Sequence, residues 1–404
     1  MRILFADEID RSTVAELQEH GHTCTMEAGL GSDDLPDRIT GFHALIVRST
    51  RVTRKTIEAA DALELIVRAG AGTNTIDTQA AAELGIYVTN VPGRNAIAVA
   101  ELTIGLLLAI DRRIADNVAA LRAGTWNKKE FSRAEGLYGK TLGIVGLGDI
   151  GLAVAERCIA LGLVVLGLQR PDRRPDREQQ IRALGIRLVE DMDQLLASSD
   201  IVSLHVPATD HTRGMVDRRF LGLMRPGAVL LNTSRGELLD GPALLEALET
   251  RGLRVGLDVF PDEPTTGVAE YDSELARHPN VVGTHHIGAS TEQAQLAIAR
   301  GVVEIIEAFG QGEIVNCVNL APTRLGTCTL HVRHFDRVGV LASVFDVLRR
   351  ANLNVEQMEN RIFVGGLAAV ATIDVVGEVS AELLGSLAAL PHVIHVSALP
   401  EEAG

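Results

Sequence analysis

The sequence predicts an α/β protein built on parallel sheets, with a smaller α+β domain at its C-terminal end. Three observations lead to this prediction: apolar strands alternate with helical segments along most of the chain, a glycine-rich turn follows one of those strands, and the last segment changes to a β-α-β-β-α-β order. Alternating strands and helices are typical of a parallel sheet that helices cover on both faces. A chain of 404 residues is long enough for two or three domains.

The N-terminal elements show this alternation first. Strands are predicted over residues 2–7, 44–48 and 65–68, and a helix over residues 12–19 ends before Gly21. A long helix rich in alanine and leucine is predicted over residues 96–122. These elements indicate a first parallel sheet and a helix that leads into the next part of the chain.

The glycine-rich turn G-I-V-G-L-G-D-I-G, residues 143–151, favours a dinucleotide-binding unit. A strand is predicted before it over residues 141–145, a helix after it over 150–160 and a further strand over 163–168. Strand, turn and helix in this order are the context that such a unit requires. The alternative is an ordinary glycine-rich turn.

Three glycines of this turn have a physical role at a dinucleotide site. Gly146 permits a tight turn, Gly148 lets a pyrophosphate approach the backbone, and Gly151 lets the helix that begins near Ile150 pack on the sheet. Asp149 does not fit this role, because its negative charge lies where the phosphates approach. Its carboxylate must therefore point away from them or weaken their binding.

The end of the strand over residues 163–168 indicates which dinucleotide binds. An acidic residue usually stands there and accepts a hydrogen bond from the ribose 2′-hydroxyl, whereas this chain has Gln169 and Arg170. Because guanidinium groups bind phosphate oxygens in a bidentate way, we predict that NADP(H) is accepted and favoured over NAD(H). The alternative is that Arg170, Arg173 and Arg174 form a solvated loop.

Polar residues follow the later strands, which are predicted over residues 201–205, 228–232, 255–258 and 281–284. Ligands bind at the carboxyl ends of parallel strands, and Arg235, Glu263 and His286 come after three of these ends. An alcohol that loses a hydride must also lose a proton, which a histidine that titrates near neutral pH can accept. The set therefore predicts a hydride-transfer site.

The three side chains have complementary predicted roles. Glu263 would fix the tautomer of His286 and favour its protonated form, while Arg235 would bind a substrate carboxylate and polarise the carbonyl oxygen of an oxoacid. His285 competes with His286 for the acid–base role on these grounds alone. His205, which ends a strand, is predicted to be structural.

Composition excludes several classes of partner. The net charge of −15 and the lack of a dense basic block argue against nucleic acid and anionic membranes. The first residues lack the apolar core of a signal peptide, and the apolar segment 102–110 is too short to span a bilayer, so we expect a cytoplasmic protein. Cys24, Cys158, Cys317 and Cys328 form no C-x-x-C pair; we expect them to be reduced and expect no metal site.

With these residues identified, the chain resembles the D-isomer-specific 2-hydroxyacid dehydrogenases, most closely those members that act on D-3-phosphoglycerate. The likeness includes the glycine-rich turn, the blocks that carry Arg235, Glu263 and His286, and the motifs R-A-G-A-G-T-N-T-I-D (68–77), A-E-L-T-I-G (100–105) and G-T-W-N-K (124–128). It implies that these three residues are catalytic and that His286, which immediately precedes I-G-A-S, is the acid–base group.

The resemblance also implies the contacts of the ligands. Asp258 would contact the nicotinamide end of the dinucleotide, and Val206 and Thr233 complete the predicted dinucleotide site. Backbone amides of Ala71, Gly72 and Thr73 would bind the substrate carboxylate, Arg48 its phosphate, and Asn95 would lie on the substrate side. A doubly charged substrate needs local cations in so acidic a protein, although Arg48 is alternatively a surface charge at a strand end.

The family's fold interrupts one Rossmann-like domain with another. Residues 1–96 and 285–318 would form the discontinuous substrate domain, and residues 97–284 the dinucleotide domain, with the site in the cleft between them. Trp126 follows the long helix in a segment that packs into a neighbouring subunit in relatives. We therefore predict a homodimer or homotetramer, the alternative being a tryptophan buried within its own chain.

The C-terminal part is predicted to be a separate regulatory domain. Residues 319–326 are a predicted linker, and residues 327–404 resemble the ferredoxin-like ACT domain, which binds small molecules where two copies meet. The residues matching known effector contacts are His334, Asp336 and Asn354. Asp336 stands where an asparagine is usual, and its carboxylate would repel the carboxylate of a bound serine. The alternative to effector binding is therefore a domain that only pairs subunits.

Three functions remain open from the sequence. The first is the NAD(P)-dependent oxidation of D-3-phosphoglycerate to 3-phosphohydroxypyruvate, which opens L-serine biosynthesis. The second is an NADPH-dependent glyoxylate or hydroxypyruvate reductase, which Gln169 and Arg170 favour. The third, of another class, is a protein that senses a dinucleotide without turnover. A formate-oxidising relative is not expected, because Glu263 stands where those enzymes have glutamine.

Overall fold

The first sheet lies in the N-terminal part of the chain. In the computed structural model, which describes residues 1–264, 268–321 and 326–400, its strands are parallel and lie in the order β2-β1-β3-β4-β5. They are β1 (Arg2–Phe5), β2 (Thr23–Met26), β3 (Ala44–Val47), β4 (Leu65–Arg68) and β5 (Tyr87–Asn90), covered by α1 (Arg11–Glu19), α2 (Leu35–Arg38), α3 (Arg54–Ala59) and α4 (Thr78–Glu83). Strand β3 is buried along its whole length because both neighbours and both helical layers cover it.

The segment after β5 corrects one prediction. The single helix predicted over residues 96–122 is wrong: the chain forms α5 (Ala96–Arg112) and α6 (Ile114–Arg122), followed by α7 (Lys128–Phe131). Arg113 adopts a left-handed backbone with φ of 48° between the first two helices, and its guanidinium donates to Asp116 at 3.0 Å and Glu130 at 2.7 Å. These ion pairs hold the break, and no glycine or proline marked it in the sequence.

The second sheet is larger and also parallel. Its order, β12-β11-β10-β9-β6-β7-β8, reverses direction between β6 and β9, where a crevice forms outside the carboxyl ends of the strands. The strands are β6 (Thr141–Val145), β7 (Val164–Leu168), β8 (Arg187–Val189), β9 (Ile201–Leu204), β10 (Val229–Asn232), β11 (Arg254–Leu257) and β12 (Val281–Gly283). The helices are α8 (Asp149–Ala160), α9 (Pro175–Ala183), α10 (Met192–Ser198), α11 (Arg218–Leu223), α12 (Gly241–Arg251) and α13 (Glu274–Arg277), with a 3₁₀ turn at Gly236–Leu238.

Helices connect the two sheets in both directions. Helix α5 leaves the first sheet and packs on α8 and on strands β10 to β12 of the second. After β12 the chain returns through α14 (Glu292–Gly310), whose Val302, Ile305 and Ile306 are buried in the core of the first sheet. The N-terminal 318 residues therefore form one unit with two sheets and two crossings between them.

The remaining residues form a second unit, 319–404. It contains β13 (Cys328–Phe335), α15 (Val340–Arg350), β14 (Asn354–Ile362), β15 (Ala368–Val376), α16 (Ala381–Ala388) and β16 (Val393–Pro400), and its antiparallel sheet has the order β14-β15-β13-β16. This is the predicted ferredoxin-like arrangement, so the predicted fold class is confirmed. Residues 322–325 of the predicted linker and 401–404 of the predicted domain lie outside the described residues.

No helix in the described ranges has the length and apolar character that crossing a membrane requires.

Candidate active site

The glycine-rich turn joins β6 to α8 at the crevice of the second sheet. Gly146 has φ of 104°, and a β-carbon on it would overlap the carbonyl of His205. A β-carbon on Gly151 would overlap the carbonyl of Gly146, so neither position accepts a side chain. A β-carbon on Gly148 would meet nothing within 4 Å, which leaves open space at the N-terminus of α8 for an anionic group.

Asp149 is the first residue of α8, followed by Ile150, which packs against the core of the second sheet. Its Oδ1 accepts a hydrogen bond of 2.6 Å from Nη2 of Arg177 on α9. The carboxylate also lies beside Gly93, because a β-carbon there would approach Oδ2 to 2.9 Å. The negative charge is therefore paired rather than directed at the turn.

The arginines after β7 differ in their partners. Arg173 donates to Leu168 O at 2.7 Å and Glu178 at 3.1 Å, and Arg174 donates to Asp176. Gln169 is tied to β8 through its backbone N–H, which donates to Val189 O at 2.9 Å. Within the described part of the chain, Arg170 has no ion pair, so its exposed guanidinium is available to an anion.

Three further residues predicted for the dinucleotide lie at strand ends of the second sheet. Val206 follows β9, and its side chain lies beside Gly146. Thr233 follows β10 and is bonded through Oγ1 to Oγ1 of Thr103 on α5 at 2.8 Å, so a ligand would meet its backbone. Asp258 follows β11 and is almost fully buried.

Buried hydrogen bonds shape the loop that carries Arg235. The side chain of Asn232 donates to Arg235 O at 2.8 Å and accepts from Ser234 N–H at 3.0 Å, while Ser234 Oγ donates to Leu204 O at 2.6 Å. The Arg235 guanidinium lies against Gly72, which is in the segment after β4 of the first sheet, since a β-carbon on Gly72 would overlap Nη2 of Arg235. Arg235 therefore bridges the crevice between the two sheets.

Asp258 organises the loop that carries His286. Its Oδ1 accepts from Thr284 Oγ1 at 2.6 Å and Ile287 N–H at 2.8 Å, and its Oδ2 accepts from Gly288 N–H at 2.8 Å. His286 N–H donates to Asp258 O at 2.8 Å, and the residue is held at φ of 52°, a conformation that is unusual for a side chain other than glycine. The buried carboxylate thus fixes the backbone from which the imidazole projects.

His286 and Glu263 form a pair at this site. The distance from His286 Nδ1 to Glu263 Oε1 is 2.7 Å, and both side chains are partly exposed. The hydrogen bond to Glu263 raises the pKa of His286, while burial and the Arg235 charge oppose that rise. Burial alone would raise the pKa of Glu263, but the hydrogen bond and charge of His286 lower it. An imidazole with Nδ1 held by a carboxylate leaves Nε2 for proton exchange.

The two competing histidines differ from His286. His205 Nε2 lies 2.8 Å from Ser203 Oγ, and burial lowers the pKa of His205 to about 3, so it stays neutral near pH 7. His285 is exposed and faces a cavity beside Phe260 and Tyr271. Neither therefore has the carboxylate partner that His286 has in Glu263.

The segment after β4 presents backbone donors to the crevice. Among the described residues, the N–H groups of Ala71, Gly72 and Thr73 have no hydrogen-bond acceptor, while the Ala71 carbonyl accepts from Asn90 at 2.5 Å. Asn95 is the N-cap of α5, and its side chain makes no capping hydrogen bond. These free donors and the adjacent Arg235 suit a carboxylate.

Two more arginines approach this segment. Asp7 fixes the backbone of the loop after β3, accepting from Arg48 N–H at 2.7 Å and Thr50 N–H at 3.0 Å. Arg68, at the end of β4, is a residue that the sequence reasoning missed. Burial and the charges of Arg235 and Arg48 lower the pKa of Arg68 to about 10, and its buried Nε has no partner in the described part of the chain. The Asp7 charge offsets these effects only in part, and an excess of positive charge of this kind favours an anionic ligand.

The residues predicted to hold an effector are separated within one copy of the C-terminal unit. His334 is buried, with Nδ1 2.8 Å from Phe335 O and Nε2 3.2 Å from Asn360 Oδ1. Asp336 follows the same end of β13 and is exposed. Asn354 begins β14 opposite Val376, at the other end of the sheet. One copy therefore does not bring the three together.

Trp126 lies on the surface. Its side chain is 82% exposed, so the alternative of a tryptophan buried within its own chain is wrong. Helix α6 has no buried residue, and Ile114, Val118 and Leu121 form an exposed apolar stripe along it. We call these four residues the α6 face.

Comparison with known proteins identifies a matching family model and several similar proteins. Residues 104–288 match the family model described as D-isomer specific 2-hydroxyacid dehydrogenase, NAD binding domain. The chain is 40% identical to a D-3-phosphoglycerate dehydrogenase of Methanocaldococcus jannaschii over 333 residues, which cover 81% of this chain and 61% of that protein. It spans between 54% and 61% of the length of three such curated relatives.

Other relatives are covered almost completely. The chain is 38% identical to a hydroxypyruvate reductase of Thermotoga maritima over 307 residues, which cover 76% of this chain and 97% of that protein. The crystal structure of a glyoxylate reductase from Paecilomyes thermophila is similar with a TM-score of 0.70 and 29% identity, covering 79% of this chain and 98% of that one.

Proposed function

The chain belongs to the D-isomer specific 2-hydroxyacid dehydrogenase family, and from this premise we propose that it oxidises D-3-phosphoglycerate to 3-phosphohydroxypyruvate with a nicotinamide dinucleotide. The observation that carries the proposal is the 2.7 Å contact between His286 and Glu263 at the crevice that Arg235 also enters. An acid–base pair beside a cation is what hydride transfer on a hydroxyacid needs.

Proton transfer is assigned to His286. In the oxidative direction its neutral Nε2 accepts the hydroxyl proton, and the imidazolium that forms is stabilised by Glu263 through Nδ1. In the reductive direction the same imidazolium returns the proton to the carbonyl oxygen. Asp258 acts as a positioning residue. Its buried carboxylate accepts from the Thr284 hydroxyl before His286 and from two backbone N–H groups after it, and its main-chain carbonyl accepts from His286 N–H.

Substrate binding is assigned to the segment opposite this pair. The free N–H groups of residues 71–73 and the Arg235 guanidinium suit the carboxylate, and Arg235 also stabilises negative charge that develops on the carbonyl oxygen. Arg48 and Arg68 supply the additional positive charge that a phosphate requires. This excess of positive charge supports a phosphorylated substrate over a simple hydroxyacid.

The dinucleotide is assigned to the turn between β6 and α8. The open space at Gly148 and the conformation of Gly146 fit a pyrophosphate, with Val206, Thr233 and Gln169 on neighbouring strand ends. When bound, the nicotinamide supplies the hydride acceptor or donor. The chain's own contribution is to hold His286, Glu263 and Arg235 at the crevice and to exclude water as the crevice closes.

We further propose that NADP(H) is favoured over NAD(H). The residue directly after β7 is Gln169 rather than an acidic residue. Arg170 is unpaired among the described residues, whereas Arg173 and Arg174 already have acidic partners. Arg170 is therefore the candidate for binding a 2′-phosphate. Comparing kcat/KM for NADPH and NADH tests this preference, and a large preference for NADH would contradict it.

A second candidate is an NADPH-dependent reductase of hydroxypyruvate or glyoxylate. The near-complete coverage of the Thermotoga hydroxypyruvate reductase favours it, as do Gln169 and Arg170. One assay separates the candidates: oxidation of NADPH and NADH with 3-phosphohydroxypyruvate, hydroxypyruvate and glyoxylate in parallel. A kcat/KM that does not depend on the phosphate would favour this second candidate, and no turnover with any substrate would leave a dinucleotide-sensing protein.

We also propose that the protein forms homodimers or homotetramers and that its C-terminal unit pairs between copies. The exposed α6 face supports the first statement. The separation of Asn354 from His334 and Asp336 supports the second, because an effector that touched all three would need residues from two copies. Calorimetric titration with L-serine and other amino acids tests effector binding; the absence of heat and of inhibition would leave subunit pairing as the role of this unit.

A further inference from the structure

Asp149 requires an explanation that the proposed function does not supply. It is the first residue of α8, next to Gly148, and a bare carboxylate there would repel the pyrophosphate of a dinucleotide. Instead its Oδ1 accepts a 2.6 Å hydrogen bond from Arg177, and its Oδ2 lies beside Gly93. The carboxylate is thus held between α9 and the segment that leads into α5.

Arg177 differs from the arginines around it. Arg173 and Arg174 pair with acidic residues of the same segment, whereas Arg177 reaches from the first turn of α9 to the N-terminus of α8. Its side chain is 23% exposed, and Asp149 is its one acceptor in the described part of the chain. Since a guanidinium has five N–H donors, most of its hydrogen-bonding capacity remains unused.

We propose that Arg177 is a dinucleotide-binding residue whose guanidinium binds the pyrophosphate and that Asp149 positions it. The proposal rests on the dinucleotide site of the proposed function. It accounts for an acidic residue at the turn, because the Asp149–Arg177 pair carries no net charge and brings a guanidinium with unused donors to the first residue of α8, next to the open space at Gly148. It also explains why Arg177 crosses to another helix while its neighbours pair locally.

The test measures dissociation constants of NAD⁺ and NADP⁺ by calorimetry on the full-length protein. Arg177→Gln is expected to raise both constants about tenfold, because each dinucleotide loses the same charge-assisted hydrogen bonds. Arg182→Gln is the matched control: it removes a well-exposed arginine that pairs with Glu178 on the same helix, α9, and is expected to leave both constants within about twofold of wild type. Weakening of NADP⁺ alone by Arg177→Gln would assign the guanidinium to the 2′-phosphate and overturn the proposal.

Asp149 gives a sharper readout, because the proposal reverses the sign of its effect. In the wild-type background Asp149→Asn should weaken both dinucleotides, since Arg177 loses its anchor. In the Arg177→Gln background the same change should strengthen binding, since Asp149 is then an unpaired negative charge beside the phosphates. Tighter binding by the single Asp149→Asn variant would show a merely repulsive carboxylate and contradict the proposal.

Two controls separate this inference from others. Thermal unfolding of each variant reports whether a loss of affinity reflects a loss of folding, and Arg177→Lys, which keeps the charge, should recover part of the affinity. A wild-type protein that binds neither dinucleotide would contradict the proposed function itself. A wild-type protein that binds both, with Arg177→Gln unchanged, would contradict only the role of Arg177.

Discussion

At the scale of single residues, the site depends on side chains whose charges are matched in pairs or left unmatched. His286 has a carboxylate partner in Glu263, and its backbone is fixed by Asp258. Arg68 forms no ion pair among the described residues, and the charge of Asp7 only partly offsets those of its neighbours Arg235 and Arg48. We expect the paired residue to control proton transfer and the unpaired residue to control substrate affinity.

The pairing of His286 with Glu263 predicts how activity depends on pH. Because neutral His286 is required for oxidation and its conjugate acid for reduction, kcat/KM should rise with pH in the first direction and fall in the second. Both midpoints should lie above the usual pKa of histidine, since the Glu263 hydrogen bond raises it. Glu263→Gln removes this cause, so both midpoints should shift to lower pH, and reductive kcat/KM above the new midpoint should fall about tenfold or more.

The control for this prediction is a histidine–glutamate contact elsewhere in the molecule. His278 Nε2 lies 3.2 Å from Glu249, away from the crevice, so Glu249→Gln should leave the pH profile unchanged. A profile of Glu263→Gln with an unshifted midpoint, or one shifted to higher pH, would show that Glu263 does not set the pKa of the acid–base group.

Arg68 predicts opposite effects on stability and on substrate binding. Arg68→Met removes a buried charge that burial and two like charges disfavour, so we expect unfolding to require about 1 kcal/mol more free energy. The same change should raise KM for the phosphorylated substrate about tenfold or more, because one of its cations is lost. Thermal unfolding and steady-state kinetics measure the two effects.

A matched arginine tests whether charge removal alone explains the result. Arg94 is exposed and forms an ion pair with Glu304 on α14, so Arg94→Met should neither stabilise the protein nor change KM. If Arg68→Met lowered the stability and left KM unchanged, Arg68 would be structural and the charge argument would be wrong.

Sequence reasoning proposed site residues that follow recognisable strand ends, and it did not propose residues whose role depends on partners distant in the sequence. Arg235, Glu263 and His286 each come after an apolar strand, so the pattern that predicts the strands also identifies these positions. Arg68 ends a strand too, but its importance comes from burial beside Arg235, which is far away in the sequence. The contact of Arg177 with Asp149 similarly joins two helices, and neither segment alone indicates it.

At the scale of elements, apolar strands inside a sheet were predictable and a half-polar strand at a sheet edge was not. Strands β3, β4 and β9 consist almost entirely of apolar residues, and their predicted positions are confirmed. Strand β2 alternates threonine with sulfur-containing residues at the sheet edge and was missed. The break between α5 and α6 was missed because ion pairs of Arg113, not a glycine or proline, hold it.

Close packing of α14 predicts an unusual effect of a helix glycine. Alanine normally stabilises a helix relative to glycine, but a β-carbon on Gly301 would overlap Cγ1 of Val91 in the segment that links β5 to α5. We therefore expect Gly301→Ala to lower the free energy of unfolding by about 1–3 kcal/mol. Denaturant titration of the full-length protein measures this change.

Gly105 in α5 provides the comparison within the same unit. A β-carbon there would meet nothing within 4 Å, so Gly105→Ala should raise the free energy of unfolding by up to about 1 kcal/mol. Stabilisation by both substitutions would mean that α14 does not pack closely against Val91, and the packing argument for Gly301 would be wrong.

At the scale of the whole molecule, the sequence predicted correctly which sheets are parallel, but it did not predict which residues lie on the surface. The alternation of strands and helices predicts parallel sheets, and their strand orders place the crevice between β6 and β9. Whether Trp126 is buried depends on how the neighbouring helices α5 and α6 pack, and the local sequence pattern does not reveal this. With Trp126 82% exposed and the other three residues also exposed, the α6 face is an apolar surface that the described part of the chain leaves uncovered.

The α6 face therefore predicts that the isolated protein is at least a dimer. Leu121 and Trp126 lie on this face, and replacing both with serine removes much of the apolar area that association would bury. We expect sedimentation at micromolar concentration to give at least a dimer for the wild type, and a smaller or more weakly associated assembly for the Leu121→Ser/Trp126→Ser variant, in which only the pairing of C-terminal units remains. Leu84→Ser is the control, because Leu84 on the first sheet's side is 54% exposed and Leu121 is 55% exposed. A wild-type monomer, or a double variant that associates as tightly as the wild type and to the same size, would exclude the α6 face as a contact between subunits.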